Sequence, residues 1–204
     1  MKKFIKVTLI IILLLFLAAL IGVSFYISSI YISARAMKLD EEALSSPYVN
    51  VKVYDSENIP IKEDNELNKA FASINSLSDS TKNAFISIED KNFYNHKGVN
   101  YKRIVKAMLN NLKSGKLKEG GSTITQQLVK NTQLTSEKTF ERKIKEVALA
   151  QKIENKYTKD QILEQYLNII YFGNNCYGIE SAANYYFSKN AKDLSVEEAA
   201  MLAG

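Results

Sequence analysis

Hydrophobic and polar positions divide the chain into three stretches of different rhythm. From Val7 to Ala34 no residue is charged, and Val7 to Val23 is almost wholly aliphatic. At about 1.5 Å of rise per residue, about 20 such residues cross the roughly 30 Å apolar layer of a bilayer. The stretch therefore predicts one transmembrane helix. A cleaved signal peptide is the rival reading, with Ala18-Ala19 as a weak cleavage site, but the run exceeds an ordinary apolar region of about 7–15 residues. Lys2, Lys3 and Lys6 favour a cytoplasmic N-terminus, and Arg35 and Lys38 on the far side dilute that bias. The expected layout is a cytoplasmic tail over 1–6, a single-pass anchor in the cytoplasmic membrane over 7–34, and everything later outside the cytoplasm.

Residues 35–65 read as a mixed linker. Within it Tyr48 to Tyr54 (YVNVKVY) alternates apolar and polar, the period of a short strand, between the chain's two prolines, Pro47 and Pro60. From Glu66 the rhythm turns helical, and 66–204 reads as one working domain. Helices are expected over Leu77–Glu89, Tyr101–Leu112 and Ser136–Asn155. Capping boxes open three more at Thr123/Gln126, Thr158/Gln161 and Ser195/Glu198. On Tyr101–Leu112 one face carries Tyr101, Ile104, Val105, Met108, Leu109 and Leu112, and the other Lys102, Arg103 and Lys106. That pattern describes either a solvated basic face or a helix lying on an anionic lipid surface.

Charge changes the picture less than its total implies. The net charge of +5 comes from 27 Lys and Arg against 22 Asp and Glu. Five of those bases precede Asp40 with no acid among them, so the rest of the chain carries 22 bases against 22 acids. A neutral working domain removes the electrostatic support for nucleic-acid binding. One cysteine, Cys176, excludes an internal disulfide, and a single histidine, His96, makes a His/Cys zinc site untenable.

Candidate chemistry concentrates in three places. In AFISIEDKNFYNHKG an apolar run delivers Glu89 and Asp90 at its end, with Phe93, His96 and Gly98 close behind. Acids at the end of a buried segment are partly desolvated, where a carboxylate can be tuned to accept a proton. In EGGSTITQQLVKN a glycine turn precedes a capped helix, whose free N–H groups attract anions such as phosphate. In RKIKE, Arg142 and Glu146 lie four apart on one helical face beside Lys143, the spacing of an ordinary surface ion pair.

Taken in order, these stretches resemble the peptidoglycan glycosyltransferase domain of class A penicillin-binding proteins and monofunctional transglycosylases, glycosyltransferase family 51. EDKNFYNHKG, GGSTITQQLVKN, RKIKE, ILEQYLNIIYFG and YGIESAANYYFSK match that family's five motifs between about Tyr48 and Gly204. The resemblance implies a mainly α, lysozyme-like, two-lobed domain whose smaller lobe rests on the membrane. It implies polymerisation of lipid II into β-1,4 glycan by an inverting reaction that releases undecaprenyl pyrophosphate.

Carried over by motif, Glu89 matches the general base. Glu146 matches a second glutamate assigned to positioning the diphosphate, directly or through a divalent cation such as Mg or Mn. Lys130, Arg142 and Lys143 match the groups that neutralise charge on the leaving diphosphate. Ser122, Thr123, Gln127 and Asn131 match substrate-contacting positions, while Asp90, Phe93 and His96 shape the cleft, His96 as an orienting hydrogen-bond partner rather than a metal ligand. The implied partners are lipid II, the growing glycan, membrane lipids and other members of a wall-synthesis complex, with no nucleic acid.

Asn100 and Ser188 depart from the family's usual Asp and Gly. The family's domain normally continues past MLAG, and no SxxK transpeptidase motif occurs, so the expectation is a fragment of a bifunctional protein or a shortened monofunctional one. Two other readings compete: a lysozyme-like enzyme that cleaves glycan, and a truncated, inactive module that binds lipid II or membrane.

Overall fold

The computed structural model describes residues 2–45, 71–115, 120–135 and 137–204. The expected strand over Tyr48–Tyr54 lies outside those residues. The described residues form nine α-helices and two 3-10 turns, with one isolated antiparallel bridge, Tyr171 to Tyr177, and no ladder.

Helix α1 (Lys2–Ala36) is exposed along its aliphatic length, and from Phe4 to Ala36 it is long and apolar enough to cross a membrane. Its last turns are different. Ile30 and Ala34 are buried where α1 reaches α6 (Phe140–Lys156). The Tyr31 hydroxyl donates to Gln151 Oε1 at 2.5 Å, and Lys152 Nζ donates to the Arg35 carbonyl at 3.1 Å and to that of Met37. Beyond it, the Gln133 amide clasps the main chain of Asp40 in both directions, at 2.8 and 2.9 Å. Lys156 pairs with Glu41 at 2.5 Å in the short α2 (Glu41–Ser45). The start of the expected linker is thus fastened to the domain.

The three predicted capping boxes all form. Two helix starts move inward, each because a hydroxyl one residue ahead claims the N-cap. Ser78 Oγ accepts from Thr81 N at 3.1 Å, so α3 spans Asp79–Glu89. Thr139 Oγ1 accepts from Arg142 N at 3.0 Å, so α6 begins at Phe140. Helix α4 (Tyr101–Ser114) runs two residues past Leu112 and stops at Gly115, whose φ of 63° is left-handed.

The core forms where α5 (Ile124–Thr132), α6 and α7 (Lys159–Ile169) pack together, with Ile124, Leu128, Leu149, Ile153, Ile162 and Leu163 fully buried. Phe85 and Ile86 of α3 bury against this core, and α9 (Val196–Ala203) packs along α3. Helix α8 (Ile179–Phe187) closes the C-terminal side. Gly98 brings the loop after α3 against α6. Its φ is +83°, and a Cβ there would lie 2.9 Å from the Ala150 carbonyl, so only glycine fits.

Candidate active site

The site is built on the amino end of α5, which receives the chain ends of α3 and α6. Helix α3 closes at Glu89, and Asp90 caps it by donating its N–H to the Ile86 carbonyl at 2.9 Å. The Asp90 side chain is fully buried. Its Oδ2 accepts from Ile124 N, in the first turn of α5, at 3.2 Å and bonds His96 Nε2 at 2.7 Å. A carboxylate at a helix amino end gains from both the free N–H groups and the helix dipole. Phe93 is fully buried, and Lys159 Nζ lies 4.4 Å from its ring centroid. These contacts fix the loop that carries His96.

Two adjacent glutamines on α5 then divide the work. Gln127 Nε2 donates to Glu89 Oε2 at 2.6 Å, and Glu89 Oε1 has no hydrogen bond among the described residues. Gln126 turns the other way. Its Oε1 accepts from Thr123 N at 3.1 Å, completing the capping box, while its Nε2 donates to Glu146 Oε1 at 3.2 Å. One amide therefore caps the helix and holds the second glutamate. Thr123 Oγ1 accepts from Gln126 N at 3.1 Å and donates to the Gly98 carbonyl at 2.6 Å, which ties the first and second motifs together.

Glu146 is 2% exposed. Its ionic partner is Lys143, three residues back, whose Nζ also donates to Ser122 Oγ at 2.9 Å. The four-residue spacing predicted Arg142 for that place. Glu146 instead turns inward toward Gln126, a direction Lys143 shares. The Arg142 Nε is left buried without a partner, as are Asp90 Oδ1 and His96 Nδ1. Lys130 and Asn131 stand exposed on the last turn of α5, with no hydrogen bond or ion pair to either glutamate among the described residues.

Tyr166 of α7 completes the wall. Its hydroxyl lies 3.5 Å from Gln127 Oε1, and burial, with the negative charge of Glu89 second, pushes its ionisation well above the ordinary tyrosine value. Alongside, an open pocket of about 560 Å³ is lined by Tyr94, His96, Lys97, Glu154, Tyr157 and Lys159.

Glu146 Oε1, on the carboxylate that the resemblance offers to a divalent cation, takes both Lys143 and Gln126, and no cluster of three His, Cys, Asp or Glu side chains occurs among the described residues.

The transglycosylase family model matches residues 57–204. The chain belongs to the transglycosylase family. It is similar to penicillin-binding protein 1F of Bacillus subtilis, 43% identical over 99% of this chain and 28% of that protein. It is also similar to penicillin-binding protein 1A of Neisseria gonorrhoeae, 45% identical over 81% of this chain and 21% of that protein. Penicillin-binding protein 1A of Pseudomonas aeruginosa is 43% identical over 90% of this chain and 22% of that protein. The chain thus spans between a fifth and about three tenths of these relatives.

Within this transglycosylase domain, the residues singled out from sequence fall into two groups. Glu89, Asp90, His96, Ser122, Thr123, Gln127, Lys143 and Glu146 are linked by the contacts above, and Phe93 packs beneath them. Lys130, Asn131 and Arg142 are not linked to them. Sequence reading missed Gln126 and Tyr166 as part of the site. Gln126 was visible only as a cap, and Tyr166 only as core.

Proposed function

We propose that this chain is a peptidoglycan glycosyltransferase module that polymerises lipid II into β-1,4 glycan at the outer face of the cytoplasmic membrane. The observation that carries this reading is the pair Gln126 and Gln127. Through them one helix end holds a proton-accepting carboxylate, Glu89, beside a separate centre of Glu146, Lys143 and Ser122 suited to a charged group.

The acceptor's 4-hydroxyl attacks the anomeric carbon of the growing chain. Glu89 Oε1 takes the hydroxyl proton while Gln127 keeps Oε2 in place. The bond from the anomeric carbon to undecaprenyl pyrophosphate breaks on the opposite side, so the configuration inverts. Negative charge then builds on the diphosphate. Lys143 meets it with Arg142, whose buried and unpartnered Nε is a donor awaiting an acceptor, and Lys130 supplies a third cation from α5. Glu146 holds Lys143 rather than acting on the sugar.

That last point disfavours the glycan-cleaving alternative, which needs a second carboxylate facing the scissile bond. Glu146 is buried and engaged by an ammonium and an amide. The position of the module also suits a lipid-linked substrate. The α1 anchor joins the domain at α6, and on α4 Val105, Met108, Leu109 and Leu112 are exposed above a row of bases. Such a face lies naturally in a bilayer interface.

Polymerisation of labelled lipid II in detergent by the parent and by Glu89→Gln tests the reading. Long glycan from the parent and at least a 100-fold loss in the variant is expected. Equal polymer from both refutes the role of Glu89. A folded parent that binds lipid II without extending it supports the inactive binding module instead.

A further inference from the structure

Arg103 belongs by sequence to the basic face of α4, pointing to solvent or lipid headgroups. In the structure its guanidinium, still partly exposed, reaches the end of α3. Its Nη1 donates to the main-chain carbonyl of Glu89, and the same nitrogen lies 4.0 Å from the buried Asp90 Oδ1, which has no hydrogen bond. The Glu89 carbonyl belongs to the last turn of α3, where carbonyls lack partners within their own helix. A guanidinium from a different helix fills that vacancy directly behind the Glu89 side chain.

Arg103 is itself held at its backbone. Asn100 Oδ1 accepts from Arg103 N at 3.0 Å as the cap of α4. One residue further on, the Tyr101 hydroxyl accepts from Gln151 Nε2 at 3.0 Å, and the same amide accepts from Tyr31 of the anchor helix at 2.5 Å. The rest of α4 contributes little to its own placement, since Ala107 is its one buried residue. The first turn of α4 is therefore where the membrane anchor, the exposed amphipathic helix and the Glu89–Asp90 pair are joined.

We propose that Arg103 is a positioning residue for Glu89, fixing the end of α3 so that the carboxylate faces the acceptor hydroxyl, and that it carries the seating of α4 to that carboxylate. This rests on Glu89 being the base. Arg103 does not touch the sugar. The titratable and charged groups gathered around Glu89 are Arg103 from α4, Tyr166 from α7, and its neighbour Asp90 with His96.

The test compares the parent, Arg103→Met, Arg103→Lys and Glu89→Gln, all carrying the anchor, with labelled lipid II in detergent. Arg103→Met is expected to lower kcat by about tenfold and leave KM for lipid II within about twofold. Arg103→Lys keeps a donor for the Glu89 carbonyl and recovers most of the lost kcat. A raised KM with unchanged kcat overturns the proposal, because Arg103 would then bind substrate. A lowered melting temperature with kcat unchanged, or lost equally in both Arg103 variants, also overturns it, since the role would be structural. If Glu89→Gln is inactive while Arg103→Met matches the parent, only the positioning role falls. If Glu89→Gln polymerises like the parent, the base assignment falls and the positioning role with it.

Discussion

Helices α4 and α5 are successive elements, both amphipathic, and they end in opposite surroundings. On α4 the apolar residues are outside: Met108 is 63% exposed and Leu112 70%. On α5 the equivalent residues, Ile124, Leu128 and Val129, are wholly buried, and so are the polar Thr123, Thr125 and Gln126. An apolar stripe therefore identifies a face without saying what covers it. Helix α5 can bury polar groups because each has a partner: Thr125 Oγ1 donates to Glu154 at 2.5 Å, and Thr123 and Gln126 close their capping box. Burying such groups unpaired costs far more than the hydrogen bonds contribute. On α4 the ties to the rest of the domain described above lie at its first turn. The buried helix holds the two glutamates through Gln126 and Gln127, and α4 leaves its apolar face exposed.

The sharpest way to break this contrast is a pair of matched truncations. Leu128→Ala on α5 is expected to cost about 2–5 kcal/mol, and Leu109→Ala on α4 no more than about 0.5 kcal/mol, by urea unfolding in detergent. Similar losses at both positions mean that α4 has a protein partner in solution. Gln126→Leu comes next. It removes the cap acceptor and one of the two groups on buried Glu146, so a loss of about 1–3 kcal/mol is expected, together with a severe fall in glycan polymerisation. Retained activity in that variant separates Glu146 from the reaction. The smallest effect on stability belongs to Met108→Trp, an informative change because the chain has no tryptophan. Its emission should be quenched by brominated lipid in anionic vesicles while the melting temperature stays near the parent's. Emission that brominated lipid leaves unchanged places α4 in water.

The Glu146 centre shows how far local rules reach. Helical spacing correctly placed Arg142, Lys143 and Glu146 on neighbouring positions, and the capping signals at Thr123, Thr158 and Ser195 each formed as read. Which cation Glu146 takes depended on which way the carboxylate faces, and that is set by Gln126 on another helix. Similarly, Arg103 reads as one more base on a basic face until α3 is placed behind it.

By itself the sequence determined the long apolar first helix, the helical class and the caps. Each follows from the composition of a window or from residues three to four apart, interactions strong enough to be local. Tertiary structure alone decided that Gln126 and Gln127 serve different glutamates, that Asp90 lies buried at the amino end of α5, and that Arg103 backs Glu89. Those pairings span up to 38 residues of chain, from Gln127 to Glu89. They exist only because burying the α5–α6–α7 core brings the helix ends together, where each desolvated polar group must find a partner.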